Sequence, residues 1–350
     1  MPGRLIVAGE VIDDQSGCYV IAEIGHNHQG SLEKARELFR RAKDCGANAV
    51  KLQKRDNRTL FSRALYDAPY ENENSFGPTY GRHREALEFG RREYEELLAF
   101  ASELGLTMFA TAFDFKSADF LAELDMPAYK MASGDLRNIP LLRYVARLGR
   151  PMFISTGGST LADVERAWEA VAPLNDQICL MQCTAAYPCE PREMNLRVLD
   201  TYRERFPGAV LGLSDHQSGI AMSVVAYVMG ARVSEKHFTL NRAMKGTDHA
   251  FSLEPEGLRK LVRDLQRARE AMGDGVKRVL PSEEKPIMKM GKAIVAARDL
   301  AAGAVLGEAD LALKSPAGGL HPYEWDVVVG RKLARPLAAD QMLAWEDLEA

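Results

Sequence analysis

The sequence predicts an α/β fold, a TIM (β/α)8 barrel followed by a small mostly-β domain. Three observations carry this reading. Apolar, β-branched runs of strand length recur about eight times between residues 19 and 238, with helical stripes filling the gaps. No Gly-x-Gly-x-x-Gly follows the first run, which disfavours the alternative, an open doubly wound sheet. Polar and ionisable residues gather at the C-terminal ends of the runs, the edge where α/β folds keep their chemistry.

After a short polar leader, residues 19–24 are apolar except for Glu23, which suits a strand buried on both faces. A helix follows, with Ser31 as N-cap, Leu32, Ala35, Leu38, Phe39 and Ala42 as one stripe, and Gly46 at its end. Residues 49–53 form the next strand, with Lys51 and Gln53 on one face. Residues 55–90 read as a long loop rich in Tyr, Asn and Gly, with one short helix near 84–89. Its stretch from Tyr66 to Tyr80 has the character of a lid or interface element. Further strands are expected at 107–113, 128–133, 151–156, 178–184, 210–216 and 233–238. Helices are expected at 220–230 and at 254–272, the latter with Pro255 in its first turn, where proline is tolerated.

Periodicity lapses over 274–289, and short β-like runs at 293–297 and 309–314 follow. The expected organisation is therefore a barrel over 1–273, a linker over 274–289 and a small domain over 290–350. With 350 residues and 46% hydrophobic content the chain can bury a large core, which excludes disorder. A net charge of -4 and a pI near 6.1 leave no basic surface for nucleic acid or an anionic membrane. No apolar run is long enough to span a bilayer and no basic leader precedes one, so a cytoplasmic location is expected. Cys18, Cys45, Cys179, Cys183 and Cys189 form no CxxC pair and are expected as reduced thiols, with Cys183 a core residue rather than a nucleophile.

The chemistry centres on residues 212–249. In a βαβ unit the strands run parallel, so His216 and His237 lie side by side at the C-terminal edge. With Asp215, Glu235 and Asp248 close in sequence, they suit a divalent metal with open positions for substrate. Alternation puts Ser214 on the face of His216 and Glu235 on that of His237, and turns Asp215 and Lys236 away. Other strand ends supply Glu23, Lys51, Gln53, Thr111, Asp114, Lys130, Ser133, Ser155, Thr156, Thr184 and Tyr187. Two lysines from different strands, several hydroxyls and the Gly157-Gly158 turn before a helix make a phosphate-sized anion site. Taken singly, each is commonly a salt-bridge partner or a plain turn, and their co-location is what points to function. His26 and His28 are expected to serve loop hydrogen bonding rather than metal, and His249 is a candidate substrate contact.

The motifs IAEIGHNHQGS, AVKLQK, FATAFD, YKMASGD, ISTGGST, QCTAAYP, GLSDHQSG and EKHFTLNRAMKGTDHAFSLEP, with the segment from Met290 to Glu349, carry a resemblance. In this order, over nearly the whole chain, they are similar to the sialic acid (N-acetylneuraminate) synthase family. The resemblance implies a barrel that condenses phosphoenolpyruvate with the open-chain aldehyde of an N-acylated hexosamine such as N-acetylmannosamine. The products are a nine-carbon 2-keto acid and phosphate, released by C–O cleavage. It also implies a C-terminal antifreeze-like (SAF) domain that reaches over the other subunit's site in a swapped homodimer. Mn²⁺ or Mg²⁺ is implied on His216 and His237, and phosphoenolpyruvate on Lys51, Thr111, Lys130, Ser133, Ser155 and Ser214. Glu23, Gln53, Tyr187 and Asp248 are implied to face the sugar, with Glu23 a candidate for proton transfer and Glu235 beside the metal. Either carboxylate, Glu235 or Glu23, orients the water that adds to phosphoenolpyruvate.

Two positions depart from the family pattern. Ala185 stands where CTNxYP carries an amide, and Ser315 where KRPGxG carries an arginine that reads the N-acyl group. Losing that cation opens the acceptor to a diacetamido sugar, mannose or its phosphate. The competing readings are an aldol-type barrel with a Schiff base on Lys51 or Lys130, and a non-catalytic sugar-binding barrel.

Overall fold

A computed structural model describes residues 3–349, which divide into two units between Gly273 and Asp274. Where the sequence reads as a polar leader, the first unit has an antiparallel hairpin of β1 (Leu5–Val7) and β2 (Glu10–Ile12). Leu5, Val7 and Ile12 are fully buried while Ile6 faces solvent, the period of a strand with one face covered. Runs of three residues are too short to announce that period among charged neighbours.

The barrel strands are β3 (Tyr19–Gly25), β4 (Ala49–Lys54), β5 (Thr107–Ala112), β6 (Tyr129–Met131), β7 (Met152–Ser155), β8 (Ile178–Cys183), β9 (Val210–Asp215) and β10 (Val233–His237). They run parallel, each beside the next in sequence, and β10 closes the ring on β3. Outside the ring, helices such as Leu32–Asp44 and Pro255–Met272 bury one stripe against the strands, as the apolar spacing predicts. Inside it, Tyr19, Ile21, Ala49, Phe109, Phe153, Cys179, Met181 and Val233 form a second core together with Leu5, Val7 and Ile12 of the hairpin. The lower barrel is thus filled with side chains and plugged from below. At Gly212 a Cβ would come within 3.1 Å of Cys179, Met181 and Val233, so this interior has no room for a larger residue there.

The connection after β4 differs from the expected loop with one helix near 84–89. It holds three short helices, Asn57–Leu60, Arg63–Tyr66 and Tyr80–Glu85, capped by Asp56, Ser62 and Thr79. The Tyr66 ring lies flat on Gly81, where a Cβ would fall 2.3 Å from it. Gly30 approaches the Ala86 carbonyl just as closely, which ties the loop after β3 to this region.

In the second unit, residues 281–290 form a 3₁₀ turn and the helix Glu284–Met290, within and just past the stretch 274–289 that the sequence reads as a linker. Beyond them β11 (Ala293–Ala296) pairs antiparallel with β12 (Leu311–Lys314), over a core that includes Ile294, Leu306, Val328, Leu333 and Leu343. None of the described helices is long and apolar enough to cross a membrane.

Because Leu5 is buried with no exposure, Leu5→Ala is expected to lower the free energy of unfolding by about 3 kcal/mol in a denaturant titration. A loss below about 1 kcal/mol would show that the hairpin does not plug the barrel.

Candidate functional site

Strand register decides which side chains meet. Glu23 sits beside His237 on one side and Lys51 on the other, Ser214 lies between Glu235 and Cys183, and Thr111 lies beside Gln53 and Lys130. In each strand these residues continue the inward-facing positions one step above the apolar core, so the polar layer opens at the C-terminal mouth. There they line a cavity of about 670 Å³. The residues assigned from the sequence to catalysis, phosphoenolpyruvate, sugar or metal lie on its wall: Glu23, Lys51, Gln53, Thr111, Lys130, Ser133, Ser155, Tyr187, Ser214, His216, Glu235, His237 and Asp248. Asp114, Thr156, Thr184 and His249 do not.

The floor carries paired charges. Lys51 Nζ is 2.7 Å from Glu23 Oε2 and 3.8 Å from Glu235 Oε1, and it donates to Thr111 Oγ1 at 2.9 Å. Lys130 Nζ donates to Ser155 Oγ at 2.6 Å. Ser133, in the turn after β6, accepts from Gly157 N at 3.0 Å, so that amide is engaged by Ser133, and the Gly157-Gly158 turn expected in the anion site is absent from the cavity wall. Ala185 lines the wall without an amide to offer. Burial pushes the Glu23 carboxyl up to about 7 against the pull of Lys51, with Glu235 adding to the rise. Burial acts on Glu235 in the same direction, but Lys51, Lys130 and both histidines outweigh it and hold that carboxyl below its usual range. Burial also lowers Lys130, partly offset by Glu235. Near neutral pH the two carboxyls therefore differ, with Glu235 ionised and Glu23 able to carry a proton.

His216 and His237 have ring centroids 5.4 Å apart. His216 Nδ1 donates to the Thr184 carbonyl at 3.2 Å, which leaves the Nε2 lone pair free. Burial, then the neighbouring His237, pulls His216 down to about 4, and burial lowers His237 as well, so both rings are neutral near pH 7. His237 Nδ1 and Glu235 Oε2 are buried with no hydrogen-bond partner among the described residues. Two neutral imidazoles with an unsatisfied carboxylate oxygen fit a divalent cation, although no group of three or more ligating side chains converges among the described residues. Asp248 Oδ2 lies 3.7 Å from His237 Nδ1, and the exposed Tyr187 ring is 4.3 Å from His216.

Other readings resolve individually. His26 and His28 serve the loops: His28 stacks on Phe89 at 4.1 Å and accepts from Gly30 N, and His26 lies between two arginines. His249 contacts Thr239 and is absent from the cavity wall, so it is not a wall contact for substrate. Thr184 Oγ1 is engaged by the Glu193 carbonyl. Burial raises the Cys183 thiol, as befits a core residue. Asp215 and Lys236 point outward and pair at 3.1 Å. Ser315 is exposed and donates to the Met290 carbonyl.

Sequence reasoning missed Arg55, Asn74, Arg84 and Thr247, which also line the cavity. Arg55 continues the alternation of Lys51 and Gln53, a signal present in the sequence but beyond the expected strand 49–53, which the structure extends by one residue to Lys54. Arg84 and Asn74 come from the connection after β4, whose path no local pattern reveals.

The NeuB family profile matches residues 38–277 and the SAF domain profile residues 291–349. The chain is 38% identical to the N-acetylneuraminate-9-phosphate synthase of Mus musculus over 100% of this chain and 98% of that one. It is 37% identical to the N,N'-diacetyllegionaminic acid synthase of Legionella pneumophila, over 95% of each. The crystal structure of N-acetylneuraminic acid (sialic acid) synthetase from Leptospira borgpetersenii matches with a TM-score of 0.71 at 29% identity, covering 82% of this chain and 96% of that one. The chain is therefore an enzyme of the NeuB family, the sialic acid synthases, ending in an SAF domain.

Proposed function

We propose that this enzyme is a nonulosonic acid synthase that condenses phosphoenolpyruvate with the open-chain aldehyde of an N-acylated hexosamine. The observation that carries this is a single cavity holding a two-lysine anion site beside two neutral histidines. Full-length similarity to synthases of nine-carbon acids supports it.

Lys51, Lys130, Thr111, Ser133, Ser155 and Ser214 bind the phosphate and carboxylate of phosphoenolpyruvate through charge and directed hydrogen bonds. Glu23, Gln53, Tyr187 and Asp248 hold the sugar. Gly25, with φ +50°, leaves the space between them, since a Cβ there would come within 3.2 Å of Glu23 and 3.3 Å of Gln53. His216 and His237 would hold Mn²⁺ or Mg²⁺, which when bound polarises a carbonyl oxygen. As C3 of phosphoenolpyruvate bonds to the aldehyde carbon, Glu23 gives its proton to the aldehyde oxygen. Glu235, the permanent carboxylate, takes a proton from the water that adds at C2. The C2–O bond to phosphate then breaks, the electron pair leaves with phosphate, and the new hydroxyl passes its proton to that leaving group as it becomes the keto group. The low-dielectric barrel wall strengthens each of these interactions.

The relatives differ in their named products, one phosphorylated and one diacetylated, so the acceptor is the finer question. A homodimer follows from the same family reading, and the exposed Val276, Val279, Ile287, Met288 and Met290 offer an apolar surface for it.

Purified protein with Mn²⁺, phosphoenolpyruvate and a panel of hexosamines is expected to release phosphate only when a sugar is present. Silence across N-acetylated, diacetamido, unacylated and phosphorylated sugars would overturn the reading. His237→Ala is expected to weaken Mn²⁺ binding in calorimetry by more than about 100-fold while leaving the circular dichroism spectrum unchanged. Unaltered affinity would remove the metal assignment. Since Glu23 acts in its protonated form with a pKa near 7, kcat/KM is expected to fall as pH rises through that value. Glu23→Gln should lose about 10²- to 10⁴-fold in rate and abolish that alkaline limb. A mutant that keeps the limb would assign the proton elsewhere.

A further inference from the structure

We infer that Arg55 and Arg84 form a second anion site at the mouth of the cavity, and that it takes a phosphate on the terminal carbon of the acceptor sugar. The inference rests on the synthase reading of the same cavity and names its acceptor, a hexosamine 6-phosphate.

A continuous line of contacts leads there from the floor. Lys51 pairs with Glu23, Gln53 Nε2 donates to Glu23 Oε1 at 2.7 Å, and Arg55 donates to Gln53 Oε1 at 2.7 Å. Arg55 then meets His26 Nε2 at 3.0 Å, and Arg84 meets His26 Nδ1 at 3.1 Å. Lys51, Gln53 and Arg55 follow one face, so the backbone at Arg55 lies about 13 Å from that at Lys51, towards the mouth. An acceptor whose aldehyde reacts beside Glu23 and the histidines can reach this point with the far end of its open chain, because Arg55 and Arg84 line the same cavity.

The two arginines are held without enough negative charge. Arg84 has no carboxylate within ion-pair distance, and its Nε is buried with no hydrogen-bond partner, among the described residues. The carboxylate near Arg55 is Glu88, 3.8 Å away and shared with Lys54 at 3.4 Å. Asp248, the other carboxylate facing this end, pairs with His237. His26 cannot supply the balance. Burial, Arg55 and Arg84 together drive its pKa well below the usual value, so the ring is neutral and accepts at one nitrogen only. Its other nitrogen presents N–H to a guanidinium N–H, an unfavourable contact that an anion bridging both guanidiniums would relieve. Two planar guanidiniums around one imidazole suit a phosphate dianion, to which each can donate twice. The floor site has its own lysines, so the phosphate of phosphoenolpyruvate does not need this pair.

The test compares kcat/KM for N-acetylmannosamine and N-acetylmannosamine 6-phosphate in the wild type, Arg84→Gln and Arg84→Lys. The wild type is expected to prefer the phosphorylated sugar by about 10- to 100-fold. Arg84→Gln should erase that preference through the phosphorylated sugar alone, and Arg84→Lys, which keeps the charge, should restore part of it. Equal efficiency on both sugars in the wild type, or an equal loss on both in Arg84→Gln, overturns the anion site while leaving the synthase standing. Calorimetry with N-acetylmannosamine 6-phosphate separates the opposite case. Binding that depends on Arg84 without turnover of any acceptor keeps the site and sinks the synthase reading, whereas binding unaffected by Arg84→Gln sinks the site.

Discussion

The buried pair between Lys51 and Glu23 is the constraint on which the upper barrel depends. Both side chains are at most 3% exposed and 2.7 Å apart, in a wall of tightly packed strands. An ammonium moved there alone would cost several kcal/mol, so each cation in this layer needs a carboxylate nearby. Glu23 and Glu235 provide it for Lys51 and Lys130, and the cost of that arrangement appears in the carboxyls themselves. One is driven towards its neutral form by burial, and the other is held ionised by the lysines and histidines around it. The charge balance that makes the layer tolerable thus also separates the two carboxyls, one able to carry a proton near pH 7 and the other ionised.

Such a layer survives because the lower half of the barrel asks nothing of it. Tyr19, Phe109, Phe153 and Met181 fill the interior below, and the hairpin adds Leu5, Val7 and Ile12 beneath them. Apolar burial at the bottom offsets polar burial at the top, and the strands join the two because inward-facing residues alternate along each of them. The connection after β4 repeats the division at the mouth. The Tyr66 ring on Gly81 anchors the helix Tyr80–Glu85, and Arg84 projects from that helix over the cavity.

Most of the barrel was legible because its strands are buried on both faces and read as continuous apolar runs. Period-two alternation then fixed which strand-end residues share the interior, from Lys51 and Gln53 to Glu235 and His237. The hairpin was not legible, since three residues per strand show no periodicity until a partner surface covers one side. Arg84 was equally hidden, because its place depends on how a 36-residue stretch from 55 to 90 folds back over the barrel. Local caps at Asp56, Ser62 and Thr79 start its helices, but nothing local says which way the chain turns between them.

By itself, then, the sequence determined the barrel strands and their count of eight, most of the strand-end side chains facing inward and, through its motifs, the family. These follow from local hydrophobic period and residue chemistry, which do not require knowing what lies across the molecule. Tertiary structure alone decided the states of those side chains. The raised Glu23 carboxyl, the lowered His216 imidazole and the guanidiniums gathered around His26 each arise from groups tens or hundreds of residues apart in sequence, brought within a few ångströms by barrel closure. Electrostatic energy depends on distance and burial, and neither is written along the chain.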